Sequence, residues 1–273
     1  MADSKVIAIC NQKGGTGKTT TCANLGIGLS RAGKKVLLID ADSQGDLTAS
    51  LGWRNQDDLP TALATLMEGV IEDKPIDIHS AILRHEEGAD LIPSNIELSS
   101  MEMRLVTAIS REQTLKRIVD SIKNEYDYVL IDCMPSLGMV TINALTASDS
   151  VIIPVQAQYL PAKGMTQLVK TIIQVKHRLN PELKIDGVLL TLADNRTNLA
   201  RETMNLIREN YGHMMKIYNS VIPVAVKAAE TSAVGKSIFT HDENGKAAGA
   251  YASFVKEVMD GEQRVHTQLA ISR

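Results

Sequence analysis

Two lysines five residues apart, Lys13 and Lys18, bracket three glycines in the run Lys13-Gly14-Gly15-Thr16-Gly17-Lys18-Thr19-Thr20. That combination suits a polyphosphate. Gly14, Gly15 and Gly17 let the backbone turn sharply and bring its N–H groups against phosphate oxygens, and a helix starting behind them adds partial positive charge. Lys18 is spaced for the β- and γ-phosphates, Thr19 for a hydroxyl ligand to Mg²⁺, and Thr20 for a further phosphate hydrogen bond. The expected ligands are therefore ATP and Mg²⁺. The usual phosphate-loop pattern opens with a glycine where this chain has Gln12, followed by the additional cation Lys13.

Carboxylates stand where such a ligand needs them. Asp132 ends the apolar run Tyr128-Val129-Leu130-Ile131, the arrangement in which an acid at a core strand's end holds Mg²⁺ opposite the loop threonine. Leu38-Ile39-Asp40-Ala41-Asp42-Ser43-Gln44-Gly45 puts two more at the carboxyl end of a second strand, the edge at which open α/β sheets bind ligands. Cys10, Cys22 and Cys133 form no C-x-x-C pair, so neither a disulfide framework nor an iron–sulfur or zinc cage is expected.

Strands and helices must bring these groups together. Short β-rich apolar runs recur at Val6 to Cys10, Val36 to Ile39, Tyr128 to Ile131, Val151 to Val155 and Ile185 to Leu192, with a helical stretch at Lys18 to Ala32 placing the glycines at a strand-to-helix turn. The alternation predicts an α/β fold, a mostly parallel sheet with helices on both faces. Residues 53 to 125 form a long insertion with helices expected at 61 to 68 and 110 to 124 and a minor strand near Asp90 to Ile92. No repeat or Pro/Gly-rich linker divides the 273 residues, so one domain over 1–273 is expected. Net charge is −3, which argues against wholesale coating of DNA or an anionic membrane, and 3% aromatic content argues against base stacking. Charge is nonetheless uneven. Residues 160 to 240 carry eleven basic and six acidic side chains, a local excess suited to weak, salt-sensitive contact with DNA phosphates. A short amino terminus and the lack of a long apolar run lead to the expectation of a soluble, cytoplasmic protein.

With Gln12 and Lys13 in place of the usual opening, the loop resembles that of the deviant Walker A ATPases, most closely the ParA/Soj branch of partition proteins. The likeness extends through Asp40-Ala41-Asp42, Asp132-Cys133-Met134-Pro135, Val151 to Gln156, Leu189 to Leu199 and Val221-Ile222-Pro223, and is weakest over 53 to 110, a less typical helical insertion. The resemblance implies that Lys13 reaches across an ATP-dependent homodimer to the partner's nucleotide, that Asp42 orients the attacking water, and that Asp40 lies near Mg²⁺. It puts Pro223 against the adenine, with Ala225 where the family usually has asparagine. It makes Arg196, with Lys227 in place of a second arginine, a contact to nonspecific double-stranded DNA. It further implies a ParB-like centromere-binding partner that stimulates hydrolysis, action at the nucleoid, and no stable membrane association. Two other readings use related loops: a MinD-like membrane-associated division regulator, for which the tail from Asp260 lacks a basic amphipathic pattern, and a metabolic ligase of the dethiobiotin or cobyrinic type, for which no substrate motif is evident.

Overall fold

The computed structural model describes residues 4–157, 162–194 and 197–271. The first half runs β1 (Lys5–Ile9), α1 (Lys18–Arg31), β2 (Val36–Ala41), α2 (Asp46–Ser50), α3 (Leu63–Ile71), β3 (Leu83–Arg84), β4 (Asp90–Ile92), α4 (Leu98–Thr107), α5 (Thr114–Ile122) and β5 (Tyr128–Cys133). It continues α6 (Met139–Ala147), β6 (Ser150–Gln156), α7 (Ala162–Arg178), β7 (Lys184–Ala193), α8 (Asn198–Tyr211), β8 (Ile217–Pro223), α9 (Val226–Val234), α10 (Ile238–His241) and α11 (Lys246–Ile271).

The strands form one sheet in the order β3-β4-β2-β5-β1-β6-β7-β8. Only β3 runs antiparallel, to β4. Every residue of β2 and β5 is buried, as the near-continuous apolar sequence of a parallel strand covered on both faces requires. Side-chain alternation divides that sequence between two cores. Val6, Ala8, Leu37, Ile39, Val129 and Ile131 pack with α3 to α7, whereas Ile7, Ile9, Leu38 and Leu130 pack with α1 and α11. The register sets Ile9 beside Asp132 and Asp132 beside Asp40. Two carboxylates and the start of the glycine loop thus share one edge by strand pairing alone.

The expected helices at 61 to 68 and 110 to 124 correspond to α3 and to α5 with its flanking 3₁₀ turns at Arg111–Gln113 and Lys123–Glu125. Elements beyond the sequence expectation include α4, the short β3, β8 and the helices that follow β7. The N-cap position of α4 is Glu97, which makes no capping bond, so the usual N-cap side chain is missing there. Strand β8 is an edge strand with polar Asn219 and Ser220 in it. The 53 to 125 segment does more than insert between strands. β4 extends the sheet beyond β2, and Leu63, Met67, Leu98, Leu105, Leu115 and Ile118 belong to the same core as β1 and β5.

Candidate nucleotide and magnesium site

The glycine loop leaves β1 and is pinned at three points. Asn11, 5% exposed, donates through Nδ2 to the Pro154 carbonyl on β6 at 2.6 Å, and its Oδ1 accepts the Lys13 N–H at 3.0 Å. Thr191 of β7 donates its hydroxyl to the Thr16 carbonyl at 2.7 Å. Gly15 and Gly17 have φ of 69° and 79°, the left-handed region in which a side chain is strained. Gly17 is the N-cap of α1, so the unpaired N–H groups of that helix's first turn face the loop. Lys18 is 7% exposed and its ammonium reaches back to the Lys13 carbonyl at 3.4 Å. Lys13, Gly14 and Gly15 are exposed, while Thr19 and Thr20 are half-buried.

Neither Asn11 nor Thr191 was singled out by the sequence, because their bonds close over 143 and 175 residues. A buried neutral hydrogen bond contributes about 1 kcal/mol, so Thr191→Val is expected to weaken nucleotide affinity roughly 3- to 10-fold. A fluorescent-nucleotide titration checks this; an unchanged affinity would mean the loop is held without β7.

Opposite the loop, Asp132 is 1% exposed and, among the described residues, neither of its carboxylate oxygens has a hydrogen-bond partner. Burial pushes its pKa well up, and the Asp40 carboxylate across the strand pair pushes it further. Lys18 and the Thr19 hydroxyl, which lies beside it without closing a bond of normal geometry, pull the other way. A buried carboxylate without donors is costly unless a cation compensates it, so this residue fits a divalent metal. Asp40 differs. It is fully buried, yet it accepts Thr48 N–H at 2.8 Å, the Thr48 hydroxyl at 2.7 Å and Asp42 N–H at 3.2 Å. Burial raises its pKa to about 7 despite these bonds. Asp40 therefore shapes the turn that carries Asp42 and α2, with Oδ2 taking two of its bonds and Oδ1 one. Asp42 is 8% exposed, accepts Gln44 N–H at 3.1 Å, and has its pKa raised by burial, then lowered in part by Gln44 N–H and Lys18.

The raised pKa of Asp132 has a signed consequence for stability. Because the folded value lies above the unfolded one, the stability is fully present below the unfolded value, near 4, and is lost as pH rises toward the folded pKa. Asp132→Asn removes that loss. In EDTA at pH 8 the variant is expected to melt about 2 to 8 °C above the unsubstituted protein, a penalty of roughly 1–3 kcal/mol relieved, with the gap closing toward pH 5. Differential scanning calorimetry at the two pH values checks it; equal melting at pH 8 would mean that the carboxylate carries no penalty.

Pro223 ends β8 and sits beside Ala193 of β7. Ala225 is the N-cap of α9 and offers no side-chain bond to it. A cavity of about 440 Å³ opens between α1, α2 and α9, bordered by Thr19, Thr20, Asn24, Asp46, Ser232 and Lys236, within the size range of small-ligand sites. Lys227 lies in the first turn of α9, half-exposed, with its ammonium 3.5 Å from Glu230. Arg196 lies outside the described residues.

A family model described as an AAA domain matches residues 4–185. Sporulation initiation inhibitor protein Soj of Bacillus subtilis (strain 168) is 45% identical over 254 residues, covering 93% of this chain and 98% of Soj. Chromosome partitioning protein ParA of Caulobacter vibrioides is 38% identical over 262 residues, 95% of each. Among solved structures, cobyrinic acid a,c-diamide synthase from Mycobacterium smegmatis superposes with a TM-score of 0.81 at 35% identity over 94% of each chain. A second structure of that synthase, with bound ADP and magnesium, gives 0.76 at 36% identity over 89% of this chain and 97% of that one. Identity of this extent over nearly the whole length, carried on a parallel sheet whose edge joins a glycine loop to buried aspartates, means that the chain belongs to the ParA/Soj family of P-loop ATPases.

Proposed function

We propose that the chain is a nucleotide-switched partition ATPase whose ATP-bound form is a homodimer that holds DNA. ATP and Mg²⁺ occupy the edge described above. Gly14 to Thr20 take the phosphates, Thr19 and Asp132 hold the metal with Asp40 supporting the turn beside it, and Pro223 and Ala225 border the adenine. Bound Mg²⁺ supplies charge neutralisation at the β- and γ-phosphates. Asp42 orients the attacking water, and its raised pKa brings it nearer the range in which a carboxylate accepts a proton.

One observation carries the switch. Of the loop's two lysines, Lys18 is buried and Lys13 is exposed. An exposed cation at the rim of a phosphate site can serve a second subunit's nucleotide, which makes charge stabilisation conditional on pairing, as an arginine finger does. Dimerisation then joins two basic 160 to 240 regions, and Arg196 and Lys227 supply phosphate contacts that need no base sequence. The Glu230 carboxylate beside Lys227 makes the latter the weaker contact. A ParB-like centromere-binding partner accelerates hydrolysis and release, at the nucleoid in the cytoplasm. Membrane attachment forms no part of this reading; among the described residues no helix is long and apolar enough to cross a membrane.

The test is retention on DNA of arbitrary sequence. Binding is expected with ATP and Mg²⁺ and should vanish with ADP or as salt rises from 50 to about 200 mM. Retention indifferent to nucleotide would sink the proposal. A second reading, an ATP-dependent amide-forming ligase, is favoured by the likeness to the M. smegmatis synthase. Its weakness is that no sequence motif announces a pocket for the small substrate such a ligase needs. Steady ATP turnover on a small carboxylic acid, without DNA or protein stimulation, would favour it.

A further inference from the structure

The five residues 134–138 connect the last strand residue, Cys133, to the first residue of α6, Met139. One end of this loop is set by the sheet, through the register of Asp132 and Cys133 with β2. The other end has no capping side chain of its own, since the N-cap of α6 is Gly138. The cap comes from elsewhere. Glu102 of α4 accepts Met139 N–H at 2.8 Å through Oε2 and Val140 N–H at 3.1 Å through Oε1. A carboxylate on the first-turn N–H groups of a helix makes charge-assisted bonds along the favourable direction of the helix dipole. Gly138 is what admits it, because a Cβ there would stand 2.5 Å from Glu102 Oε1 and 2.7 Å from Oε2. Inside the loop, Ser136 Oγ accepts Gly138 N–H at 3.3 Å and the Ser136 carbonyl accepts the Thr141 hydroxyl at 2.9 Å, so the turn after Asp132 is continuous with the capped end.

We infer that Glu102 is a positioning residue for the ATPase reaction: by fixing the amino terminus of α6 it sets the path of the loop that follows the metal-binding Asp132. The inference rests on the assignment of Mg²⁺ to Asp132. Helix α4 holds its own place independently, with Leu98, Met101 and Leu105 in the core and an ion pair from Arg104 to Glu68. Helix α6 is also anchored without Glu102. Asn143 accepts Leu115 N–H at 3.1 Å and donates to the Arg111 carbonyl at 2.8 Å. Loss of the carboxylate therefore loosens one turn and one loop and leaves both helices docked. Part of the 53 to 110 segment, which sequence alone left without a role, becomes a support for the switch.

The test uses the full chain with Glu102→Ala and Glu102→Gln, measuring ATPase kcat, KM for ATP, the Mg²⁺ concentration for half-maximal rate, and melting temperature. Small misplacement of a reacting geometry is expensive, so Glu102→Ala is expected to lower kcat about 10-fold and to raise the Mg²⁺ requirement several-fold, with KM for ATP within about 2-fold. Glu102→Gln keeps one of the two acceptor oxygens and sets an NH2 group against the other N–H, so it should recover part of the rate, to within about 5-fold of the starting value. A wild-type kcat and Mg²⁺ requirement in Glu102→Ala overturns the inference. So does equal loss in both variants in step with a fall in melting temperature, the mark of a purely structural residue. Asp132→Asn, run in parallel, separates the two levels. A wild-type Mg²⁺ response in Asp132→Asn removes the assignment of the metal, whereas an impaired Asp132→Asn beside an unimpaired Glu102→Ala removes only the role of Glu102.

Discussion

Lys18→Ala is expected to weaken ATP binding by at least about 100-fold and with it every ATP-dependent property of the chain. The ammonium is buried at the start of α1, where it donates to the Lys13 carbonyl at 3.4 Å. That is a long, neutral contact, readily exchanged for phosphate oxygens. A charge-assisted hydrogen bond contributes roughly 1.5–3 kcal/mol, and contact with two phosphate groups supplies two of them, or about 10²–10⁴ in affinity. Isothermal titration with ATP and Mg²⁺ reads the loss directly. The fold should survive, since α1 keeps Leu25, Ile27 and Leu29 in the core. Binding within 5-fold of the unsubstituted chain would move the phosphates away from this loop.

Asp42→Ala should separate binding from hydrolysis. Its carboxylate stands on a turn held mainly by Asp40 and Thr48, to which it adds a single bond from Gln44 N–H at 3.1 Å, so the loop should persist without it. Removing a group that positions and deprotonates water costs about 10²–10⁴ in rate, while ATP affinity should change little. The variant is thus expected to keep ATP and stay on DNA, whereas Lys18→Ala should do neither. Single-turnover hydrolysis alongside DNA retention checks both halves. Normal hydrolysis in Asp42→Ala would remove Asp42 from the reaction, and a variant that hydrolyses slowly yet leaves DNA would separate hydrolysis from release.

The chemistry was legible where it lies in contiguous residues. Lys13 to Thr20 carry their meaning in one run, and the apolar stretches ending at Asp40 and Asp132 declare both strand and carboxylate. Strand pairing then does the rest, setting Asp40 and Asp132 side by side. The supports were not legible, because each joins residues far apart in sequence: Asn11 to Pro154, Thr191 to Thr16, and Glu102 to the start of α6. Asp40 shows a different limit. Its type and place suit a metal, and only the three hydrogen bonds it accepts reveal that it also builds the turn. Helix α4, whose N-cap position holds Glu97 with no capping bond, escaped notice, yet it is the helix that carries Glu102.

In the proposed switch, the hydrogen bond from Thr191 to the Thr16 carbonyl also bounds how far nucleotide can influence the DNA contact. Two residues after Thr191 the strand ends at Ala193, and between them Leu192 adopts a left-handed φ of 49°, a conformation that non-glycine residues hold only under constraint from their surroundings. The chain then passes directly into the stretch that contains Arg196. In that reading, any rearrangement of the glycine loop reaches Ala193 through a joint whose strength is about 1 kcal/mol, and a joint of that strength can bias a two-state equilibrium by only about 5-fold. Through this joint alone, nucleotide would tune the grip on DNA by degrees; an all-or-none response has to draw its remaining free energy from the pairing of two subunits.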